Sequence, residues 1–184
     1  MFLAQRSLLP LTTQVLQLRE AFRRAFVVGM ANQSSFKINE VDGDLFSAPK
    51  THSLAHCVGA DLAMAAGIAV KFKQVFGKVE ELRSQKVTSG GVAILKEDER
   101  YIYYLVTKAQ SYGKPTYESL QASLEQMREH MRKNNVQSLA IPRIGCGIDG
   151  LEWDKVSALL KQVFECEKLE IVVYNFVPPP PPSQ

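Results

Sequence analysis

The chain has 184 residues, of which 46% are hydrophobic and 22% are charged, a composition typical of one soluble globular domain and rather short for two. Its formal charge of +3 comes from the first 35 residues, where four arginines accompany one glutamate, so that 18 basic and 18 acidic side chains balance elsewhere. This balance of charge excludes a large basic face for nucleic acid. The three cysteines lack C-x-x-C spacing, which argues against a zinc site. No stretch approaches the ~20 apolar residues of a membrane span.

Residues 1–35 form a separate N-terminal extension by composition. Four arginines among Leu, Phe, Val, Ser and Thr, with Glu20 as the only acid, are typical of a mitochondrial transit peptide. The alternatives are an extension without a targeting role, since Met30 could itself start a compact protein, or a helix that binds a partner. At the other end, the run of prolines predicts a disordered tail over residues 177–184.

Between these ends, from residue 36 to residue 176, strand patterns alternate with helix patterns. The predicted strands cover residues 36–41, 53–58, 91–96, 100–107, 138–141 and 169–174. The predicted helices cover residues 66–76, 79–85, about 115–134 and 153–165. Strands linked by helices imply an α/β fold with three layers (α/β/α) and a mixed, largely parallel central sheet.

Polar side chains follow several of these predicted strands. Asp44 comes after the first strand, and His56 and Cys57 end the second. Lys108 ends the second strand of the hairpin. Because ligands of open parallel sheets bind where the carboxyl ends of the strands meet, we expect these residues at one rim. A histidine in a buried strand is more typical of a core than of a catalytic site, so His56 is expected in the core.

The most informative stretch is Pro142-Arg143-Ile144-Gly145-Cys146-Gly147-Ile148-Asp149-Gly150, between a strand and a helix. Glycines in such a turn let backbone N–H groups converge on a phosphate, and the following helix adds its positive end. Asp149 would repel a phosphate, which predicts a chemical role for this carboxylate. The alternative is that Asp149 only caps a turn, and Asp154 is an equally good helix cap. Cys146 is interpreted as a small packing residue.

These motifs in this order resemble the macrodomain family, within it the small branch of ADP-ribose–protein glycohydrolases that also deacylate O-acetyl-ADP-ribose. The resemblance covers residues 36–176. The matching pieces are Gly43-Asp44-Leu45-Phe46, Ser53-Leu54-Ala55-His56-Cys57, Ala66-Gly67-Ile68-Ala69-Val70, Arg100-Tyr101-Ile102-Tyr103-Tyr104-Leu105, Thr107-Lys108, Lys114-Pro115-Thr116-Tyr117-Glu118 and Pro142 through Asp149. The chain departs from the family pattern at Gly59, where a serine is usual, and at Ala65, where a glycine is usual, which bears on substrate preference.

The resemblance implies a role for each matching position. Asp44 would contact the adenine, with Leu45 beside it in the same turn. Lys108 would be the nucleophile that attacks the anomeric carbon of the distal ribose, and Asp149 would be the acid/base. The two phosphate loops and their neighbours would bind the rest of the nucleotide through Ala66, Gly67, Ile68, Thr107, Arg143, Ile144, Gly145, Cys146, Gly147, Ile148, Tyr174 and Phe176.

The implied reaction removes mono-ADP-ribose or terminal ADP-ribose from Glu and Asp side chains and deacylates O-acetyl-ADP-ribose, without a cofactor or metal. A lysine amine attacks only when neutral, and its ordinary pKa is about 10.4, so Asp149 is expected to take its proton as general base. The competing hypotheses are a reader that binds ADP-ribose without hydrolysing it and another nucleotide-phosphate enzyme. A P-loop ATPase is disfavoured because no Gly-Lys-Ser/Thr follows the loop.

The expected partners are therefore ADP-ribosylated proteins, ADP-ribose and O-acetyl-ADP-ribose, with no direct contact to nucleic acid or membrane. The chain is expected to be a monomer in the nucleus and cytoplasm. The alternative is the mitochondrial matrix, through a targeting role of residues 1–35.

Overall fold

The central sheet has six strands in the computed structural model, which describes residues 35–177. The strands are β1 (Lys37–Asp42), β2 (Ser53–Gly59), β3 (Gly91–Glu97), β4 (Arg100–Lys108), β5 (Ser138–Pro142) and β6 (Glu170–Asn175). Four helices accompany them in this part of the chain: α1 (Ile68–Phe76), α2 (Val79–Ser84), α3 (Tyr117–Lys133) and α4 (Trp153–Phe164). A 3-10 turn covers Leu45–Ser47.

The strand order across the sheet is β1-β6-β5-β2-β4-β3. Neighbouring strands are parallel except β3 and β4, which form an antiparallel hairpin. Lys108 closes β4 and is paired with Gly59, the last residue of β2. The predicted mixed, largely parallel sheet is confirmed.

Every predicted element starts and ends within two residues of the observed one, and two of the differences have a local reason. The first helix begins at Ile68 rather than at residue 66, because Gly67 has φ +60° and ψ −151°, which lies outside the helical region. The second strand continues to Gly59, so that His56 lies inside β2 and not at its end.

The sheet separates two hydrophobic cores, because successive side chains of a strand point to opposite faces. On β4, Tyr103 and Leu105 pack into the core that holds the buried residues of α3 and α4. Ile102 and Tyr104 pack on the other face, together with Phe72 of α1 and Leu82 of α2. This arrangement is the predicted three-layer architecture.

The predictions for the N-terminal extension and the proline tail concern residues 1–34 and 178–184, which lie outside the described residues. Within residues 35–177, none of the helices has the length and apolar character needed to cross a membrane.

Candidate active site

The carboxyl ends of β1, β2, β4, β5 and β6 all lie at one rim of the sheet, because these strands run parallel to one another. The rim is therefore built from the segments that follow Asp42, Gly59, Lys108, Pro142 and Asn175. These segments hold Asp44 and the glycine-rich run after β5, and Lys108 ends β4 at the same rim, whereas the prediction that His56 lies at the rim is wrong because His56 is inside β2. The parallel topology is the reason that residues far apart in the chain meet here.

Lys108 and Asp149 form an ion pair at this rim. The Lys108 Nζ donates to Asp149 Oδ1, and the two side chains are only 10% and 14% exposed. Lys108 comes from the last position of β4, whereas Asp149 comes from the loop after β5. A pair so far withdrawn from water interacts more strongly than a surface pair, and it places a proton acceptor against the amine.

The loop that carries Asp149 has a conformation that requires glycine. Gly145 has φ +72°, and a Cβ at this position would lie 2.7 Å from Leu151 Cδ1. The Leu151 N–H donates to the Gly145 carbonyl at 2.8 Å, which closes the loop. Ile144 is buried at its base, whereas Gly147 and Ile148 are exposed at its tip. Asp149 therefore lies on a compact turn that is closed by a backbone hydrogen bond.

The first predicted phosphate loop, at Ala66, Gly67 and Ile68, lies opposite the loop that carries Asp149. Gly67 is the N-terminal cap of α1, and a Cβ at its position would lie 3.2 Å from Ile148 Cδ1. The Ile148 side chain is 66% exposed and reaches across from the second loop. Ala66 is exposed beside Gly67, and Ile68 is half-buried as the first residue of α1. Two backbone turns, one of them at a helix N-terminus, therefore face each other, a geometry suited to a diphosphate.

Asp44 lies in the turn after β1, and both of its carboxylate oxygens already have partners. Oδ1 accepts from the Phe46 backbone N–H at 3.0 Å, and Oδ2 accepts from Lys71 Nζ at 2.6 Å. The Lys71 hydrogen bond and the Phe46 amide lower the pKa of Asp44. Leu45 is buried beneath the turn. Lys71 was not predicted to belong to the site. A hydrogen-bond donor of a nucleotide base must bind the Asp44 carboxylate while Lys71 also donates to it.

Arg143, at the start of the second loop, is held by Glu40 of β1. Glu40 Oε2 accepts from Arg143 Nη2 at 2.8 Å and from Asn175 Nδ2 at 3.2 Å, and its Oε1 accepts from Trp153 Nε1 at 2.8 Å. The Arg143 and Trp153 hydrogen bonds lower the pKa of Glu40, and the Arg143 guanidinium lies 5.5 Å from the Trp153 ring. Glu40 was missed from the sequence, where it stands in a strand with no motif around it.

The floor of the site is formed by side chains of β2 and β4. Burial raises the pKa of the Cys57 thiol to about 12, and the Asp149 carboxylate adds to this effect, so the thiol stays neutral at pH 7. Burial also raises the pKa of the Cys146 thiol. The Thr107 hydroxyl is buried beside the Cys57 thiol. Neutral groups therefore surround the Lys108–Asp149 pair on this side.

His56 faces the opposite core and takes no part in the site. Its ring stacks on Phe72 with 3.8 Å between the ring centroids, and burial lowers its pKa to about 3. Neither ring nitrogen has a hydrogen-bond partner in the described part of the chain.

The segment after β6 completes the rim. Tyr174 is half-buried, and its Cδ1 would lie 3.8 Å from a Cβ placed on Gly43, next to Asp44. Phe176 is 74% exposed and leaves an aromatic face open to a ligand. Among residues 35–177, no group of three His, Cys, Asp or Glu side chains is arranged to hold a metal ion.

Comparisons with known proteins show which family the chain resembles. The Macro domain family model matches residues 55–160. The chain is 56% identical over 139 residues to ADP-ribose glycohydrolase OARD1 of Homo sapiens, across 76% of this chain and 91% of that protein. It is 52% identical over 151 residues to the Bos taurus protein of the same name, across 81% of this chain and 99% of that one.

Among solved structures, the macrodomain of Thermus aquaticus DarG matches with a TM-score of 0.69 at 25% identity, over 76% of this chain and 98% of that chain. The described part of the chain therefore has the macrodomain fold. The chain belongs to the macrodomain family, and its identity to the two glycohydrolases makes it a hydrolase.

Proposed function

We propose that this macrodomain is an ADP-ribose glycohydrolase that releases mono-ADP-ribose or terminal ADP-ribose from Glu and Asp side chains and deacylates O-acetyl-ADP-ribose. The observation that carries the proposal is the Lys108–Asp149 pair. It is withdrawn from solvent at the rim where the loop at Gly67 faces the loop that carries Asp149. The names of the human and bovine relatives support the glycohydrolase class. A protein that only binds ADP-ribose has no need of a buried amine and carboxylate side by side.

The nucleotide is held by the rim around this pair. The diphosphate lies between the first loop at Ala66, Gly67 and Ile68 and the second loop at residues 144–148, where backbone N–H groups bind it. The adenine lies toward Asp44, with Tyr174 and Phe176 beside the nucleotide. This placement leaves the distal ribose at Lys108 and Asp149, between the second loop and the end of β4.

The first chemical step breaks the bond between the anomeric carbon and the acyl oxygen. Asp149 accepts a proton from Lys108, and the neutral Nζ uses its lone pair to form a bond to the anomeric carbon. The acyl oxygen keeps the bonding electrons and leaves as a carboxylate, which needs little protonation because it is already a stable anion. The ion pair provides the proton acceptor at hydrogen-bond distance before the substrate arrives.

The second step restores the enzyme. Water forms a bond to the anomeric carbon of the lysine adduct as the carbon–nitrogen bond breaks and the amine takes the bonding electrons. The proton held on Asp149 returns to the amine, and the proton that the added water loses passes to solvent. Free ADP-ribose and the original ion pair result. Deacylation of O-acetyl-ADP-ribose follows the same two steps when the acetyl group is on the anomeric oxygen, with acetate as the departing carboxylate. The neutral Cys57 thiol adds no negative charge that would compete with Asp149 for the proton.

The test is release of ADP-ribose from a Glu-linked ADP-ribosylated protein by the wild type, Lys108→Ala and Asp149→Ala. We expect turnover by the wild type and a loss of about 100-fold or more in kcat for each variant, with ADP-ribose still bound by all three. In the lysine adduct, the ribose ring opens when the bond between the anomeric carbon and the ring oxygen breaks and a nitrogen proton passes to that oxygen, which leaves an imine at Nζ that borohydride reduces. Trapping should therefore attach one ADP-ribosyl group to the wild type and none to Lys108→Ala. Binding without turnover by the wild type would establish a reader and reject the hydrolase.

For the cellular setting, we propose a monomer in the nucleus and cytoplasm that acts on ADP-ribosylated proteins without touching nucleic acid or membrane. The alternative destination is the mitochondrial matrix, through residues 1–35. A fluorescent reporter fused to these residues distinguishes the two, because a mitochondrial signal would support targeting and a diffuse signal would reject it.

A further inference from the structure

A second bridge joins the two segments that carry Lys108 and Asp149. The segment from Ala109 to Thr116 connects β4 to α3 and starts immediately after Lys108. Within it, Lys114 Nζ donates to the backbone carbonyl of Ile148 at 3.0 Å. Ile148 directly precedes Asp149 in the second loop. Lys114 thus holds the peptide from which the Asp149 side chain emerges.

The two bridges act on the same pair of segments. One is the ion pair between Lys108 and Asp149, and the other is the hydrogen bond between Lys114 and Ile148. A single contact between two loops allows them to pivot about it, whereas two contacts a few residues apart define their relative orientation. The second bridge therefore adds a constraint on the orientation of the Asp149 carboxylate relative to the amine.

The segment that carries Lys114 is itself held in place near its middle. Asp61 Oδ2 accepts from the Ser111 backbone N–H and from the Ser111 hydroxyl, each at 2.9 Å. Burial raises the pKa of Asp61, but the hydrogen bonds from Ser111 and Ala63 outweigh it and lower the pKa overall, so the carboxylate stays charged. Gly59 permits this contact, since a Cβ there would lie 2.6 Å from the Ser111 nitrogen.

The far end of the segment is anchored to the start of α3. Thr116 caps this helix in a reciprocal capping box with Ser119. The Ser119 hydroxyl also donates to the carbonyl of Thr107, the residue before Lys108, at 2.6 Å. Lys114 therefore belongs to a segment that is held by hydrogen bonds on both sides. Its ammonium can restrict the movement of Ile148, because the segment itself does not move with the second loop.

We propose that Lys114 is a positioning residue: through the Ile148 carbonyl it keeps Asp149 aligned with Lys108, and, resting on the proposed function, it thereby sets the rate of proton transfer. Lys114 makes no bond to the reacting atoms in this role. Its contribution belongs to kcat, because the alignment of the acid/base matters most in the transition state.

The experiment compares Lys114→Met, Lys114→Arg and Lys155→Met. Lys155 is a matched control, since it is an exposed lysine just beyond the same loop that forms an ion pair with Glu152 and lies 5.7 Å from the centre of the Tyr117 ring. The first readout does not depend on activity: the ¹H–¹⁵N signal of the Lys108 ammonium, which is observable when the ion pair slows its exchange with water. We expect this signal to broaden or disappear in Lys114→Met and to remain in the arginine variant and in the control.

The second readout is kinetics on the Glu-linked substrate. We expect kcat to fall about tenfold in Lys114→Met, with KM and the melting temperature close to those of the wild type and with recovery in Lys114→Arg. An unchanged Lys108 signal in Lys114→Met, or a changed signal with unchanged kcat, would overturn the positioning role. Failure of the proposed function looks different, because the wild type would then release no ADP-ribose whatever the Lys108 signal does.

Discussion

Glu40 and Arg143 are 103 positions apart in the chain, yet the Glu40 carboxylate accepts two hydrogen bonds from the Arg143 guanidinium, at 2.8 and 3.3 Å. The contact joins β1, at the edge of the sheet, to the start of the loop that carries Asp149. Trp153, the first residue of α4, donates to the same carboxylate. Both ends of the second loop are therefore tied to one acidic side chain, while Lys114 holds its tip.

The coupling between Glu40 and Arg143 can be measured by a double-mutant cycle. We expect Glu40→Gln and Arg143→Met to show a coupling energy of about 0.5–1 kcal/mol in urea denaturation, because the two side chains are 38% and 49% exposed and water screens their charges. The control is the cycle for Glu80 and Arg83, an i,i+3 pair on α2 that touches no loop of the site. Coupling in the control alone would contradict the structural role assigned to Glu40.

Replacement of Gly145 by alanine should damage the second loop. The φ of +72° strains any residue with a side chain, and the added methyl group would lie 2.7 Å from Leu151 Cδ1. We expect a loss of about 1–3 kcal/mol in the free energy of unfolding. The matched control is Gly147→Ala, two positions on, where a Cβ would meet no atom within 4 Å. Equal destabilisation by the two substitutions would reject this account of the loop.

His56 should make the protein sensitive to acid. Its pKa is about 3 in the folded protein, because burial opposes the charged ring, against the ordinary value of 6.5. Between these values the unfolded chain binds a proton that the folded chain does not, so stability falls as the pH decreases from about 6.5 toward 3. The limiting slope is about 1.4 kcal/mol per pH unit.

His56→Phe should flatten this dependence, since phenylalanine keeps the ring that stacks on Phe72 and cannot be protonated. The measurement is the free energy of unfolding in urea at pH 7.5 and pH 5. His52→Gln serves as the control, because His52 lies on the loop before β2 and outside the core. A pH dependence that is identical in His56→Phe and the wild type would show that other groups cause it.

Gly59→Ser introduces the residue that the family resemblance implies at this position, and we expect it to be unfavourable here. The added Cβ would lie 2.6 Å from the Ser111 nitrogen and 2.7 Å from Asp61 Oδ1, so the segment after Lys108 must move. The expected cost is about 1–3 kcal/mol of stability, together with loss of the Lys108 ammonium signal. Ala60→Ser, at the next position, is the control. A stable variant with the Lys108 signal intact would show that Ser111 tolerates the serine.

Most elements of the fold were predicted closely from the sequence, because hydrophobic periodicity is a local property of each segment. The amphipathic helix α3 and the strands around it were recognised in this way. The start of α1 was missed by two residues, since the conformation of Gly67 depends on its neighbours in space, including Ile148. The end of β2 was predicted one residue too early for a similar reason. Pairing with β4 extends the strand to Gly59, which leaves His56 inside the strand.

The sequence by itself determined three features: the order of strands and helices, the glycine-rich loop with its unexpected acid, and the lysine at the end of a strand. Each of these features depends on a short run of consecutive residues. Only the tertiary structure decided which distant residues support that chemistry. The bonds from Lys114 to Ile148, from Ser111 to Asp61 and from Arg143 to Glu40 join positions 34, 50 and 103 apart. No local pattern encodes such contacts, since they arise when parallel strands bring their carboxyl ends to one rim.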